Sequence, residues 1–331
     1  MPPDRGRSGL GVRRIVRRLA SPVYLAALVA IVGFAYLGQG DPMSYFALSL
    51  VIASIYITLA LAWDLSSGMT GYLNFGLPFF FGLGAFTTGY FSWQDHVRSQ
   101  PLLAIASLAV GLLAGFLFAF PTLRLRGPYF SLLSILLPLI ATDVVLSYWT
   151  QLHMPTQGYY SIPLLGPTSA AELIVLSAVN ALLLTGFFLL RDSHFGLVLR
   201  GIRDDEEALS AQGVRTFPYK LVVFTLASGA AGYAGAMYAM VISFAGPDTF
   251  QFTFLIFPIL IVILGGTGEI AGSVLAGYVV MLLYSYFLQA FTELTFIVFT
   301  GAAILLVLFL PGGILRPLRS FIQFMRTPEP P

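Results

Sequence analysis

The sequence predicts an all-α membrane protein of about ten transmembrane helices, with both termini in the cytoplasm. Three observations predict it. Of the 331 residues, 57% are hydrophobic and only 10% are charged, and the mean hydropathy is +0.86. A water-soluble chain of this length needs far more ionisable side chains to cover its surface. The apolar residues gather into ten runs, most of them close to the roughly 20 residues that a helix needs to cross a bilayer whose core satisfies no backbone group. The basic residues fall between those runs, nearly all of them on one side.

Taken in order, a basic segment (1–21) carries Arg5, Arg7, Arg13, Arg14, Arg17 and Arg18 and is followed by the first run, 22–38. An arginine-rich opening before an apolar run also fits a cleaved signal or twin-arginine peptide. An uncleaved span is expected here, because later runs direct insertion themselves and no convincing cleavage site follows. Runs two to four are 43–63, the glycine-rich 74–93, and 101–120, which leads to Arg124 and Arg126. Runs five and six, 129–149 and 171–190, lead to the longest loop, 191–218. Arg191, Arg200, Arg203 and Arg215 lie in that loop, and Lys220 follows just beyond it. Runs seven to ten are 219–243, the short 252–265, 272–288 and 294–310; Arg316, Arg319 and Arg326 then mark a short tail, 316–331. With the N-terminus inside, sixteen of the 17 basic residues lie in the cytoplasm and only Arg98 lies outside. A wrong span count would scramble this tally from the error onward. The third run, for its glycines, and the eighth, for its length, are the two that a break or a re-entrant turn would suit. Runs two to five and seven to ten enter the membrane in opposite senses, the arrangement of an inverted repeat.

The chain has no cysteine, so disulfides, thiolate metal sites and cysteine nucleophiles are excluded. His96, His153 and His194 lie in separate segments, and no metal site is expected. No G-x-x-x-x-G-K-[ST] loop, H-E-x-x-H, G-x-S-x-G or paired-carboxylate arrangement occurs, so no catalytic residue is assigned. Asp64 and Glu269 sit at cytoplasmic ends of runs and Asp143 toward the outer end of the fifth. Carboxylates so placed are a poor basis for ion coupling. A ten-span secondary transporter or channel is the alternative that composition alone leaves open.

The loop contains RGIRDDEEALSAQGVRTFPYK, the one strongly charged, helix-prone stretch in the chain. Asp204 or Asp205 can cap a short helix, Glu206 and Glu207 complement the positive end of its dipole, and Gly213 suits a left-handed terminus. A helix of about two turns is unstable alone in water and needs a docking surface; Ala208 and Ala211 would let one approach closely.

This stretch resembles the EAA-type coupling loop of ABC importer permeases. With its flanks, FGLVLRGIRDDEEALSAQGV and YKLVVFTLASGAAGYAGAMYA, it is similar to the branched-chain amino-acid permease family. LAWDLSSGMTGYLNFGLPFFFGLGAF resembles that family's glycine-spaced segment, with Leu77, Pro78 and Phe79 where small polar residues are usual. ILGGTGEIAGSVLAG resembles its late LGG-x-G segment, with Ser273 where proline is more common. The resemblance runs from about Trp63 to Leu315. It implies a fold like that of the larger, vitamin-type importers, with 22–315 as the permease domain. Arg203, Asp205, Glu206, Glu207, Ala208, Ala211 and Gly213 are then the contacts to an ATPase subunit. It also implies two such ATPases holding ATP and Mg, no cofactor in this chain, a second permease subunit (a homologous but different chain, or a second copy) and a periplasmic solute-binding protein. Membrane lipid surrounds the assembly, no nucleic acid takes part, and the location is a bacterial-type inner membrane. The implied solutes are branched-chain or related amino acids, with urea or short amides as the alternative. Gly68, Gly71, Tyr72, Asn74 and Gly76 fit either close packing or a broken helix lining a translocation pathway. For Gly229, Gly232 and Gly235 helix packing is expected. Gln157, Tyr159 and Tyr160 fit either a contact to the binding protein or an interfacial aromatic belt.

Overall fold

The computed structural model describes residues 22–39, 45–125, 128–148, 158–290 and Gly301. They form α1 (Pro22–Leu37), α2 (Tyr45–Trp63), α3 (Leu77–Gln94), α4 (Gln100–Thr122), α5 (Pro128–Tyr148), α6 (Ser169–Asp192), α7 (His194–Ala211), α8 (Thr216–Ile242), α9 (Thr253–Gly265) and α10 (Ile270–Ala290). A π-helical turn, Asp64–Gly68, continues α2, and a 3-10 turn, Pro247–Phe250, precedes α9. Two short strands, β1 (Tyr159–Tyr160) and β2 (Phe244–Ala245), pair antiparallel, Tyr159 opposite Ala245.

Among the described residues six stretches are long and apolar enough to cross a membrane: Tyr45–Gly68, Gln100–Thr122, Pro128–Ser147, Ser169–Asp192, Thr216–Ile242 and Pro247–Gly265. Shorter apolar stretches occur at Tyr24–Leu37 and Ile270–Tyr286. Helices α1–α6 and α8–α10 fall on nine of the expected runs; the tenth, 294–310, lies outside the described residues apart from Gly301, as do 1–21 and 316–331. The third run is unbroken but begins at Leu77 rather than 74, because Asn74 folds back to accept the Gly76 N–H at 3.0 Å and ends the preceding loop. The eighth run is one continuous helix of 13 residues, about 20 Å long at 1.5 Å per residue; the 3-10 turn before it supplies the rest of that apolar stretch.

Helix α2 is the axis of the bundle. Every residue from Leu50 to Thr70 except Ile52 is buried, enclosed by α6, α8, α9 and α10. Lipid gives little drive for apolar faces to meet, so close backbone approach and buried hydrogen bonds must hold the helices together. Both are present. A Cβ on Gly84 of α3 would collide with the Gly232 backbone of α8, and one on Gly235 with the Phe81 carbonyl. Between α2 and α6, Thr58 donates to Asn180 Oδ1 at 2.7 Å, and Asn180 Nδ2 donates to the Ser54 carbonyl at 2.9 Å.

The neighbour pattern comes in mates. Exchanging α2 with α8, α3 with α9 and α4 with α10 turns the α2–α10 contact into α8–α4, the α2–α9 contact into α8–α3, and the α3–α4 contact into α9–α10. The α2–α8 and α3–α9 contacts map onto themselves. That is the packing expected of two inverted units.

Candidate functional site

The loop between α6 and α8 is built from both ends by capping. Ser193 opens α7, its hydroxyl accepting the Gly196 N–H at 3.3 Å. At Asp205 the backbone is extended (φ −161°, ψ 100°) and α7 kinks. Asp205 Oδ1 accepts the N–H groups of Glu207 (3.0 Å) and Ala208 (2.9 Å), so Asp205, not Asp204, caps the short segment 206–211. Gly213, at φ +86°, closes it in the left-handed conformation, with its N–H on the Ser210 carbonyl at 3.0 Å. The result is a solvent-facing surface on which Glu207, Ala208, Ala211 and Gly213 are all exposed.

Two of the expected contact residues also bond to the rest of the chain. Arg203, itself exposed, lies across the helix ends: Nη1 donates to the Gly68 carbonyl at 2.6 Å, and Nη2 donates to Thr267 Oγ1 at 3.2 Å. Glu206 meets Lys220 Nζ at 2.7 Å and accepts hydrogen bonds from Thr216 (2.6 Å) and from the Tyr72 hydroxyl. Lys220 is almost fully buried, and its ammonium lies 4.3 Å from the centroid of the Tyr72 ring. Burial pushes the Glu206 carboxyl up, but the hydrogen bonds from Lys220, Thr216 and Tyr72 and the Lys220 charge outweigh it and hold the group below its ordinary 4.5. A charged α7 is thus tethered by charge-assisted bonds and cannot be a freely solvated loop.

The surface it is tethered to is the segment 64–76. Here Gly71, at φ +77°, lies against Arg203, whose Cγ would stand 3.3 Å from an added Cβ. Asp64 is fully buried and its Oδ1 accepts the Gly268 N–H at 2.7 Å. Asn74 is buried as well: its N–H donates to Ser67 Oγ at 2.9 Å and its carbonyl accepts the Trp63 indole N–H at 3.0 Å. Gly76 packs on α5, 3.1 Å from the Ser134 carbonyl to an added Cβ. The pathway candidates therefore divide. Gly71 and Tyr72 join Arg203 and Glu206 at a cleft of about 390 Å³ lined also by Thr70 and Thr216, and Gly68 meets Arg203 through its carbonyl, whereas Asn74 and Gly76 brace the turn into α3. The Tyr72 hydroxyl and the Asn74 side-chain oxygen are engaged inside the protein.

A second turn completes the site. Thr267, Gly268 and Glu269 connect α9 to α10, and Glu269 forms a paired ion bridge with Arg191 at the end of α6, 3.0 Å for each contact. Reasoning from sequence did not place Asp64, Thr216, Lys220, Thr267 or Glu269 in this site. The signal available was topological: all five sit at or beside the ends of runs on the same side as the loop. Of the outer-loop candidates, Tyr159 is buried beneath Trp93 and Phe86, and only Tyr160 presents surface. Gln157 lies outside the described residues.

A family model described as the permease component of branched-chain amino acid transport systems matches residues 45–308. The chain is 27% identical over 298 residues to the high-affinity branched-chain amino acid transport system permease protein LivM of Salmonella typhimurium, covering 81% of this chain and 69% of that one. The LivM of Escherichia coli is 26% identical over 301 residues, covering 82% and 70%. The nucleoside ABC transporter permease protein NupC of Lactococcus lactis is 24% identical over 190 residues, covering 52% and 60%. No solved structure gives a significant match. Apolar helices packed through glycines around a buried α2, a capped loop helix across the helix ends, and a family match over most of the length converge: the chain is a multi-pass membrane protein that belongs to the family of permease components of branched-chain amino-acid ABC transport systems.

Proposed function

We propose that this chain is the transmembrane subunit of an ATP-driven importer for branched-chain or related amino acids. It works in a bacterial-type inner membrane with ten spans, both ends inside, and the larger, vitamin-importer type of architecture across 22–315. Two ATPase subunits hold ATP and Mg, and one of them docks on the exposed face of α7, with Asp205 as cap and Glu207, Ala208, Ala211 and Gly213 as contacts. A second permease subunit, homologous but different, forms the other wall of the path, and a periplasmic binding protein delivers the solute. The segment from Gly68 to Gly76 is read as the inner end of the path.

The observation that carries this reading is the two-sidedness of α7. One face is bonded into helix ends through Arg203 and Glu206, while the other is capped, acidic and open. A helix held this way passes on a push that a solvated loop would absorb. Alternating access then follows from nucleotide-driven closure of the ATPases.

The test is purification of the complex from membranes with its native partners. Glu207→Arg and Ala208→Trp should weaken ATPase retention by roughly tenfold or more, as expected for contacts of about 2 kcal/mol. Retention unchanged in both variants would show that the ATPase docks elsewhere. Solute class is read by uptake of labelled leucine with unlabelled adenosine and urea as competitors. The likeness to a nucleoside permease makes adenosine the second candidate.

A further inference from the structure

We infer that Arg203 is a positioning residue that ties α7 to the cytoplasmic ends of α2 and α9 together, so that displacement of the loop helix moves both helix ends as one body. The inference rests on the proposed docking of an ATPase on α7 and adds where the displacement goes.

The geometry is that of a C-terminal cap on α2 that also reaches the turn beyond α9. The last carbonyls of a helix have no partner within it and carry its partial negative charge. After the π-helical turn of α2, the Gly68 carbonyl loses its expected donor four residues on, because the Tyr72 N–H donates instead to Thr70 Oγ1 at 3.2 Å. Arg203 Nη1 takes that place at 2.6 Å. Past the end of α9, the Thr267 carbonyl receives the same Nη1 at 3.4 Å, and Thr267 Oγ1 receives Nη2 at 3.2 Å. One planar guanidinium thus serves the end of α2 and the turn past α9, which a single ammonium cannot do with the same fork of donors. The two ends are also joined directly, since Asp64 of the π-helical turn accepts the Gly268 N–H at 2.7 Å. Arg191 holds the same turn through Glu269. Three elements, α2, α6 and α7, therefore converge on the three residues 267–269, and α7 is the one whose other face is open. Under the inverted pairing above, α2 and α9 belong to different units, so the arginine spans the seam between them.

The absence of cysteine gives a direct test. Leu73 is exposed in the segment that follows the α2 break, and Leu73→Cys puts a reporter thiol there. In inside-out vesicles holding the complete transporter, maleimide labelling at position 73 is compared between nucleotide-free and vanadate-trapped states. With Arg203 in place the labelling rate should change with nucleotide. Arg203→Ala should shrink that change by about tenfold, the loss expected for charge-assisted bonds of roughly 1.5 kcal/mol or more, with the ATPase still bound. Arg203→Lys should lie between the two. Thr267→Val, which removes one acceptor and leaves the backbone untouched, should give a smaller loss and carries the test should Arg203→Ala fail to accumulate. A full nucleotide response in Arg203→Ala, or no response at position 73 with the ATPase bound, overturns this inference alone. No ATPase bound to the unsubstituted chain overturns the docking reading itself.

Discussion

Glu206 shows how one side chain can look like a partner contact and serve as an anchor. Its half-buried carboxylate faces the chain's sole lysine, Lys220, which is itself almost fully buried, so that removing the carboxylate leaves a buried charge uncompensated. Glu206→Gln should therefore loosen α7 by about 2 kcal/mol, the cost of a lost charge-assisted bond, seen as faster protease nicking between α7 and α8. The pH dependence follows from the direction of the shift. Glu206 is held below its ordinary 4.5, so its contribution is complete above that value and is lost as pH falls through the lower, folded one. A fluorophore at Ser210→Cys should report a docked loop from pH 8 down to about 5 and release only in stronger acid. Release near pH 6 to 7 would contradict the assignment. Why sequence reasoning did not foresee the bonds of Arg203 and Glu206 within the chain is physical. In a stretch as polar as RGIRDDEEALS, periodicity separates apolar from polar faces but not polar side chains facing water from polar side chains bonded inward. The Asp205 kink, which turns one residue's face relative to the next, leaves no compositional mark beyond the capping aspartate itself.

At the scale of elements the membrane acts through packing and buried bonds rather than apolar transfer, and substitutions should be read accordingly. Gly84→Val drives a branched side chain into the Gly232 backbone, which cannot move aside without separating α3 from α8; we expect a loss of about 2–3 kcal/mol, read as a lower thermal midpoint in detergent. Asn180→Ala removes both bonds that join α6 to Thr58 and Ser54 and should cost about 1 kcal/mol, within the range of interhelical bonds in membranes. A loss larger for Asn180→Ala than for Gly84→Val would reverse the ranking of packing over polar contacts. The helices themselves were legible because lipid enforces a length and an apolar composition: α4 begins within a residue of the expected 101, and α9 ends at the expected 265. The displaced start of α3 was not, since the Asn74–Gly76 turn depends on side chains whose orientation no pattern shows, Ser67 and Trp63 in the preceding segment and Ser134 on α5.

For the whole molecule, the paired exchange of neighbours places α2 and α8 at the centre of two interlocked units, with α4 and α5 on the outside showing apolar faces such as Leu113, Leu117, Leu132 and Ile140. Exposure of that kind suits lipid or a second permease subunit. The helix ends on the side of α7 are gathered at one point, where α7 meets the break after α2 and the turn before α10. The most direct measurement of the central claim is site-directed cross-linking from Ala211→Cys in this cysteine-free chain, in sealed vesicles of either orientation. The account predicts a cross-link to a nucleotide-hydrolysing subunit, with the thiol reached by an impermeant reagent only from the cytoplasmic side. Modification of position 211 from the outer side, or uptake at full rate with no such subunit bound, would contradict it.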